Sequence, residues 1–208
     1  MMLNLNEGNH NRNTNTLIDL VNDINPSVMI NLPVGLVLFH VQKGYFSGSG
    51  VFFNKQTGTK ISRFAVGTGT KGTYYVAYAP ETALAEVFKD AYLEAEDLDR
   101  YFMATVSPVR SLKIVHMGYL ARELGIDVTA LMNESYATTQ KIAAEVSHYA
   151  DGLWYISRKL GEPCLAFWHE CTDGAGLFIT RDVVALSRFH YQNIDAESML
   201  DRLNIKVM

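Results

Sequence analysis

The sequence predicts an α+β fold: a single domain with a mixed, mostly antiparallel β core flanked by helices. Three observations predict it. The chain has 208 residues, below the roughly 250 to 300 at which one core gives way to several. Hydrophobic residues at 48% and charged residues at 19% are ordinary for a packed domain and exclude a disordered, collagen-like or disulfide-stapled chain. Strand-like and helix-like segments alternate without a regular βαβ rhythm, and many gaps are only long enough for hairpins.

The elements follow in order. Residues 1–16 alternate Asn4, Asn6, Asn9, Asn11, Asn13 and Asn15 with other residues, so a flexible asparagine-rich tail is expected, with the domain occupying 17–208. Leu17, Leu20, Val21 and Ile24 recur at helical spacing up to Pro26, predicting a short amphipathic helix over 17–28. Val34 to Val41 is apolar enough for a strand buried on both faces, ended by Gly44, Gly48 and Gly50. Ser62 to Ala79 reads as a strand-like start, a Gly/Thr-rich loop and a second strand from Thr73 to Tyr78. Pro80 suits a first helical position, and the helix it opens carries an apolar stripe of Leu84, Val87, Phe88 and Ala91. Strands are predicted at Tyr101–Val106, Leu112–His116, Trp154–Ser157, Cys164–His169 and Val183–Leu186, and helices at Leu120–Leu131, Thr138–His148 and Ala196–Leu203.

Composition also narrows the function. Eighteen Lys and Arg against 22 Asp and Glu give a net charge of −4, without the cationic field that drives phosphate-backbone binding, so nucleic acid is not an expected partner. Two cysteines and a start, Met1-Met2-Leu3-Asn4, without a cationic and apolar leader point to a reducing, cytoplasmic setting. No apolar run approaches the roughly 18 residues of a membrane span.

Each chemical candidate has a plainer alternative. The loop Gly67–Thr73 (GTGTKGT) lacks the spacing of a phosphate-binding loop and runs into a strand rather than a helix, so it reads first as a hairpin loop. Cys164, His169, Cys171 and His148 lack zinc spacing, and Cys164 lies in an apolar run where thiols are inert, so no metal is expected. Glu86 falls at the border of the apolar stripe, where a carboxylate must be paired or used; the alternative is an ordinary surface glutamate. Arg63 reads by default as a surface arginine, Ser157 as a turn former, and Tyr74 and Tyr75 as strand packing.

Together these points fall into a familiar order. The stretches SRF (62–64), GTYYVAYAPETALAEVF (72–88), SYATTQKIAAEV (135–146) and DGLWYISRKLGEPCLAFW (151–168) resemble the RES-domain family over about Leu36 to Val184. The strand-to-helix motif ending in P-E-T-A-L-A-E is the most specific piece. The resemblance implies an ADP-ribosyltransferase-like fold and a toxin of a toxin–antitoxin pair that degrades NAD+ at the nicotinamide–ribose bond, as a glycohydrolase or phosphorylase. NAD+ is then substrate rather than cofactor. The family's arginine falls on Arg63, its tyrosine on Tyr75, its glutamate on Glu86 and its serine on Ser157. The implied catalytic residues are Glu86, Arg63 and Ser157, with Arg63, Tyr75 and Ser157 binding substrate. Glu86 would stabilise a ribosyl cation, and Arg63 would pair with the phosphates. Tyr75 would stack on nicotinamide or ribose, and Ser157 would hydrogen-bond the carboxamide or a ribose hydroxyl.

Ser62 departs from the glycine frequent in the family. No helix-turn-helix is visible, so the resemblance implies a separate Xre-type antitoxin that covers the active site. Phe64, Tyr74, Tyr75, Tyr78, Trp154 and Tyr155 are expected to line or back the nucleotide cleft, with the glycine loops at 44–50 and 67–72 bordering its entrance. ADP-ribosyl transfer to a macromolecule, a non-catalytic binding protein and a secreted effector with the same chemistry are the alternatives. Homodimer formation is left open.

Overall fold

The computed structural model describes residues 26–58, 61–89, 92–123, 125, 127–133 and 135–208. Strands β1 (Met29–Leu32), β2 (Leu38–Lys43), β3 (Gly72–Ala77), β4 (Tyr101–Pro108), β5 (Leu112–His116), β6 (Gly152–Ile156), β7 (Pro163–His169) and β8 (Phe178–Ala185) form one sheet in the order β1-β5-β6-β7-β3-β2-β4-β8. Every neighbouring pair is antiparallel except β5 with β6. A short hairpin, β9 (His190–Tyr191) and β10 (Ile194–Asp195), completes the strands. The predicted α+β class with a mixed, mostly antiparallel core is what the chain adopts.

Helix α1 (Pro80–Phe88) begins as its sequence dictates, with proline in the first turn and Glu81 beside the positive end of the helix dipole. Its buried side is Pro80, Thr82, Ala83, Leu84, Ala85 and Phe88. Val87, assigned to the apolar stripe, is instead exposed at 41%, and Ala91 lies outside the described residues. The helix is therefore turned toward its alanines, which lets it approach the sheet closely and leaves Glu86 and Val87 on the open side. Helices α2 (Asp97–Arg100), α3 (Met117–Glu123), α4 (Val128–Asn133), α5 (Tyr136–Val146) and α6 (Ala196–Arg202) follow. Ser135 caps α5 and Asp195 caps α6, each side chain accepting from a backbone N–H three residues on.

Several boundaries differ from the sequence reading, each for a local reason. The tail over 1–16 and residues 17–25 of the first predicted helix lie outside the described residues; Pro26–Val28 form a single 3-10 turn that enters β1, a strand the helical spacing concealed. The strand predicted from Val34 starts at Leu38, because Gly35 takes a φ of +77° in a turn that leaves Val34 and Val37 exposed. The predicted helix over Leu120–Leu131 is two helices, broken near Gly125 with φ of +65°. Ser62–Phe64 is a turn rather than a strand start. β8 extends far upstream of Val183 because it is an edge strand whose exposed Arg181 and Asp182 hide its period.

The sheet separates two buried clusters. One packs Phe39, Phe64, Leu84, Phe88, Tyr155, Ala166 and Trp168 beneath the helices. The other packs Phe53, Tyr74, Phe167, Phe178 and Leu165 on the opposite face. Between β2 and β3 the ladder is reduced to one pair, Phe39 with Ala77, whereas β3 pairs with β7 over six residues. The sheet opens at this point, beside α1.

Candidate functional site

The four residues singled out in the sequence come together at that opening. They line one cavity of about 700 Å³ together with Phe39, His40, Val41, Ala77, Cys164, Tyr155 and others, except that Ser157 stands just behind the wall and reaches it through Glu86. Strand pairing explains the convergence. Tyr75 lies opposite Ala166 and Ala77 opposite Cys164, while Tyr155 on β6 is paired with the same Cys164. Alternation then turns Tyr75, Ala77, Cys164, Ala166 and Tyr155 to one face. Small residues on the central strands leave a floor between two tyrosines.

Arg63 is delivered by a turn stapled from three sides. The Phe64 N–H donates to the Tyr75 hydroxyl at 3.0 Å, and that hydroxyl donates to Ser62 Oγ at 2.9 Å. Trp168 Nε1 donates to the Phe64 carbonyl at 2.7 Å. Thr139 Oγ1 donates to the Arg63 carbonyl at 2.8 Å. The turn's polar backbone is thus bonded to β3, β7 and α5, which is why SRF does not extend as a strand. The Arg63 guanidinium donates from Nη1 to the Met132 carbonyl at 3.0 Å and lies over the Tyr136 ring, 4.6 Å from its centroid.

Glu86 projects from the second turn of α1 and accepts a hydrogen bond from Ser157 Oγ. Ser157 is 1% exposed. Its oxygen in turn accepts from the N–H groups of Lys159 and Leu160 at 3.1 and 3.2 Å. A chain of donors therefore runs from the turn after β6 through the serine hydroxyl into the carboxylate, fixing its orientation. Because the hydroxyl proton goes to Glu86, the serine reaches the cavity only through that carboxylate.

The surroundings are electrically simple. Burial, with a contribution from nearby Glu86, pushes the Cys164 thiol up to about 12, so it is no nucleophile at neutral pH. Burial likewise pushes Tyr75 up to about 12 against the pull of its bonds to Ser62 and Phe64, and raises Tyr155 well above its usual range. His40 is lowered to about 4 by burial. Among the described residues lining the cavity, Glu86 is the one acid, facing the cations Arg63, Arg158 and Lys159.

Sequence reasoning missed His40, Arg158, Lys159, Tyr136 and the Met132 carbonyl as parts of the site. Arg158 and Lys159 carried a signal, being adjacent to Ser157; His40 carried another, a polar residue inside an apolar strand. Of the expected aromatic lining, Phe64, Tyr75 and Tyr155 reach the cavity, whereas Tyr74, Tyr78 and Trp154 pack on the other face. Neither glycine loop contributes a lining residue. Among the described residues no cluster of His, Cys, Asp and Glu is arranged to hold a metal ion, and no helix is long and apolar enough to cross a membrane.

A chain of the crystal structure of the M. tuberculosis MbcT–MbcA toxin–antitoxin complex shares the fold, with a TM-score of 0.56 and 11% identity, covering 82% of this chain and 91% of that one. The fold is thus one also seen in a chain of a toxin–antitoxin complex. The model of the RES domain family matches residues 38–188, and the chain belongs to that family. No curated protein matches the sequence.

Proposed function

We propose that this protein is a toxin-like enzyme that consumes NAD+ by cleaving the bond between nicotinamide and ribose. The observation that carries the reading is the clamped carboxylate: Glu86, oriented by Ser157, is the one acid among the described lining residues of a cavity otherwise lined by aromatic rings, neutral groups and cations. Cleavage of the glycosidic bond sends its electron pair to the nicotinamide nitrogen, which leaves neutral, and puts positive charge on the ribosyl carbon and ring oxygen. A fixed anion on a partly desolvated wall stabilises that charge as it develops. Water then adds with loss of a proton to give ADP-ribose, or phosphate adds to give ADP-ribose phosphorylated at the anomeric carbon. Arg63, Arg158 and Lys159 supply positive charge for the pyrophosphate, which an acidic protein must concentrate locally. Tyr75, its hydroxyl fixed at both ends, presents a rigid ring to nicotinamide or ribose. NAD+ is the substrate, and no resident cofactor is needed.

The shared fold with a chain of a toxin–antitoxin complex supports a separate antitoxin as partner; a seat over the cavity mouth and action in the cytoplasm belong to the same proposal. The test is incubation of the purified protein with NAD+, with and without phosphate, followed by chromatography of the products. Free nicotinamide with ADP-ribose, or with its phosphorylated form when phosphate is present, is the expected result. No nicotinamide from antitoxin-free protein overturns the reading, and label from NAD+ on a macromolecule replaces it with ADP-ribosyl transfer.

A further inference from the structure

The hydrogen bonds that hold the Arg63 turn run in one direction and end on a proton. The Phe64 N–H donates to the Tyr75 hydroxyl at 3.0 Å, and that hydroxyl donates to Ser62 Oγ at 2.9 Å. Only one proton lies on the line between two hydroxyl oxygens, so the Ser62 hydroxyl keeps its own proton to give elsewhere. Among the described residues it has no acceptor, while the rest of Ser62 is committed. Its N–H donates to Gln56 Oε1, and its carbonyl accepts from Gln140 Nε2 and from the Ala65 N–H, each at 3.1 Å. Ser62 is half-buried and lines the cavity beside Arg63 and Tyr75. A donor with its direction fixed therefore stands on the cavity wall. Because its oxygen already receives a hydrogen bond it is polarised, and it gives its strongest bond to a charged acceptor.

We infer that Ser62 is a substrate-binding residue whose hydroxyl donates to a pyrophosphate oxygen of the dinucleotide, next to the Arg63 guanidinium. This deepens the NAD+-cleaving reading and rests on it. A phosphate oxygen only accepts and carries charge, which suits a polarised donor; the carboxamide and the ribose hydroxyls donate as well and need no such direction. The turn sets the hydroxyl before a ligand arrives, so little freedom is lost on binding. Ser62 stands where the family often has glycine, so the contact is this chain's own.

The experiment measures NAD+ cleavage, its inhibition by ADP and by nicotinamide, and calorimetric binding of ADP, for wild type, Ser62→Ala and Ser62→Gly. The kinetics of S62A are repeated in a Tyr75→Phe background. The prediction is that S62A and S62G each raise the KM for NAD+ about tenfold with kcat within about twofold. Both weaken ADP by a similar factor and leave inhibition by nicotinamide unchanged. Tyr75→Phe removes the hydroxyl that S62A otherwise leaves without an acceptor. A Ser62 that only supports Tyr75 has no effect in that background, whereas one that touches substrate still raises KM severalfold. Unchanged KM in S62A and S62G, an effect that vanishes beside Tyr75→Phe, or nicotinamide weakened as much as ADP overturns the assignment. Wild type that releases no nicotinamide from NAD+ overturns the underlying reading instead. The ADP titration then still decides the phosphate contact, which fails if wild type binds no ADP or S62A binds it equally well.

Discussion

Tyr74 and Tyr75 are consecutive residues of one strand, and they serve opposite sides of the molecule. Tyr74 is 1% exposed, with its ring among Phe53, Phe178 and His40. Its hydroxyl donates to the Gly50 carbonyl at 2.7 Å, so burial costs it no unpaired polar group. Tyr75 faces the cavity, and its hydroxyl holds the turn that delivers Arg63. One face of the sheet is a closed aromatic core, and the other is a wall left open by small residues such as Ala77 and Cys164. The difference shows that residue type does not assign a tyrosine to structure or chemistry; strand alternation and the size of its neighbours do.

The comparison can be broken in order of effect. Tyr74→Ala should lower stability by about 3 to 5 kcal/mol, the usual cost of removing a buried ring, while the activity of the fraction that remains folded stays within about twofold. Urea unfolding paired with nicotinamide release checks both halves, and an equal loss of activity per folded molecule would erase the distinction between the faces.

A smaller effect comes from His40, whose ring rests on Tyr74 and whose Nδ1 meets the Tyr75 carbonyl. Its pKa is about 4 in the fold against an ordinary 6.5, so the unfolded chain binds the extra proton first as pH falls. Stability from this group is intact above about pH 6.5 and is lost as pH drops toward 4, amounting to about 2 to 3 kcal/mol by pH 4.5. Unfolding at pH 7 and pH 4.5 should therefore show a drop in wild type that exceeds the drop in His40→Gln by roughly that amount. Equal drops would mean the imidazole is not held neutral at the sheet opening.

Least disruptive is Tyr75→Phe, which keeps the ring and leaves the Phe64 N–H without its acceptor. A loss of about 1 kcal/mol in stability and a severalfold rise in KM are expected. A change in stability as large as that of Tyr74→Ala would place Tyr75 in the core instead.

Much of this was legible in the sequence, and the failures share causes. Pro80 and the helix formers behind it specified α1, and the order SRF, Y-x-A-x-x-P-E-T-A-L-A-E and D-G-x-x-Y-x-S identified Arg63, Tyr75, Glu86 and Ser157 as parts of one site. What the sequence could not show is the direction of each side chain. The extent of α1's buried side depends on Ala83 and Ala85 packing against the sheet, which turned Val87 outward. The role of Ser157 depends on the Lys159 and Leu160 N–H groups, which no residue pattern encodes. β8 was hidden because an edge strand carries polar residues on both sides, and His40 because its partner is a backbone carbonyl 35 positions away.

The most direct measurement is nicotinamide release from NAD+ by wild type and Glu86→Gln. Glutamine is nearly isosteric, sits at an exposed helix position and can still accept the Ser157 bond, so it removes the charge and little else. If the carboxylate stabilises the ribosyl cation, the variant keeps the wild-type melting temperature within about 2 °C and loses about 10²-fold or more in kcat. Release by Glu86→Gln at the wild-type rate would contradict it.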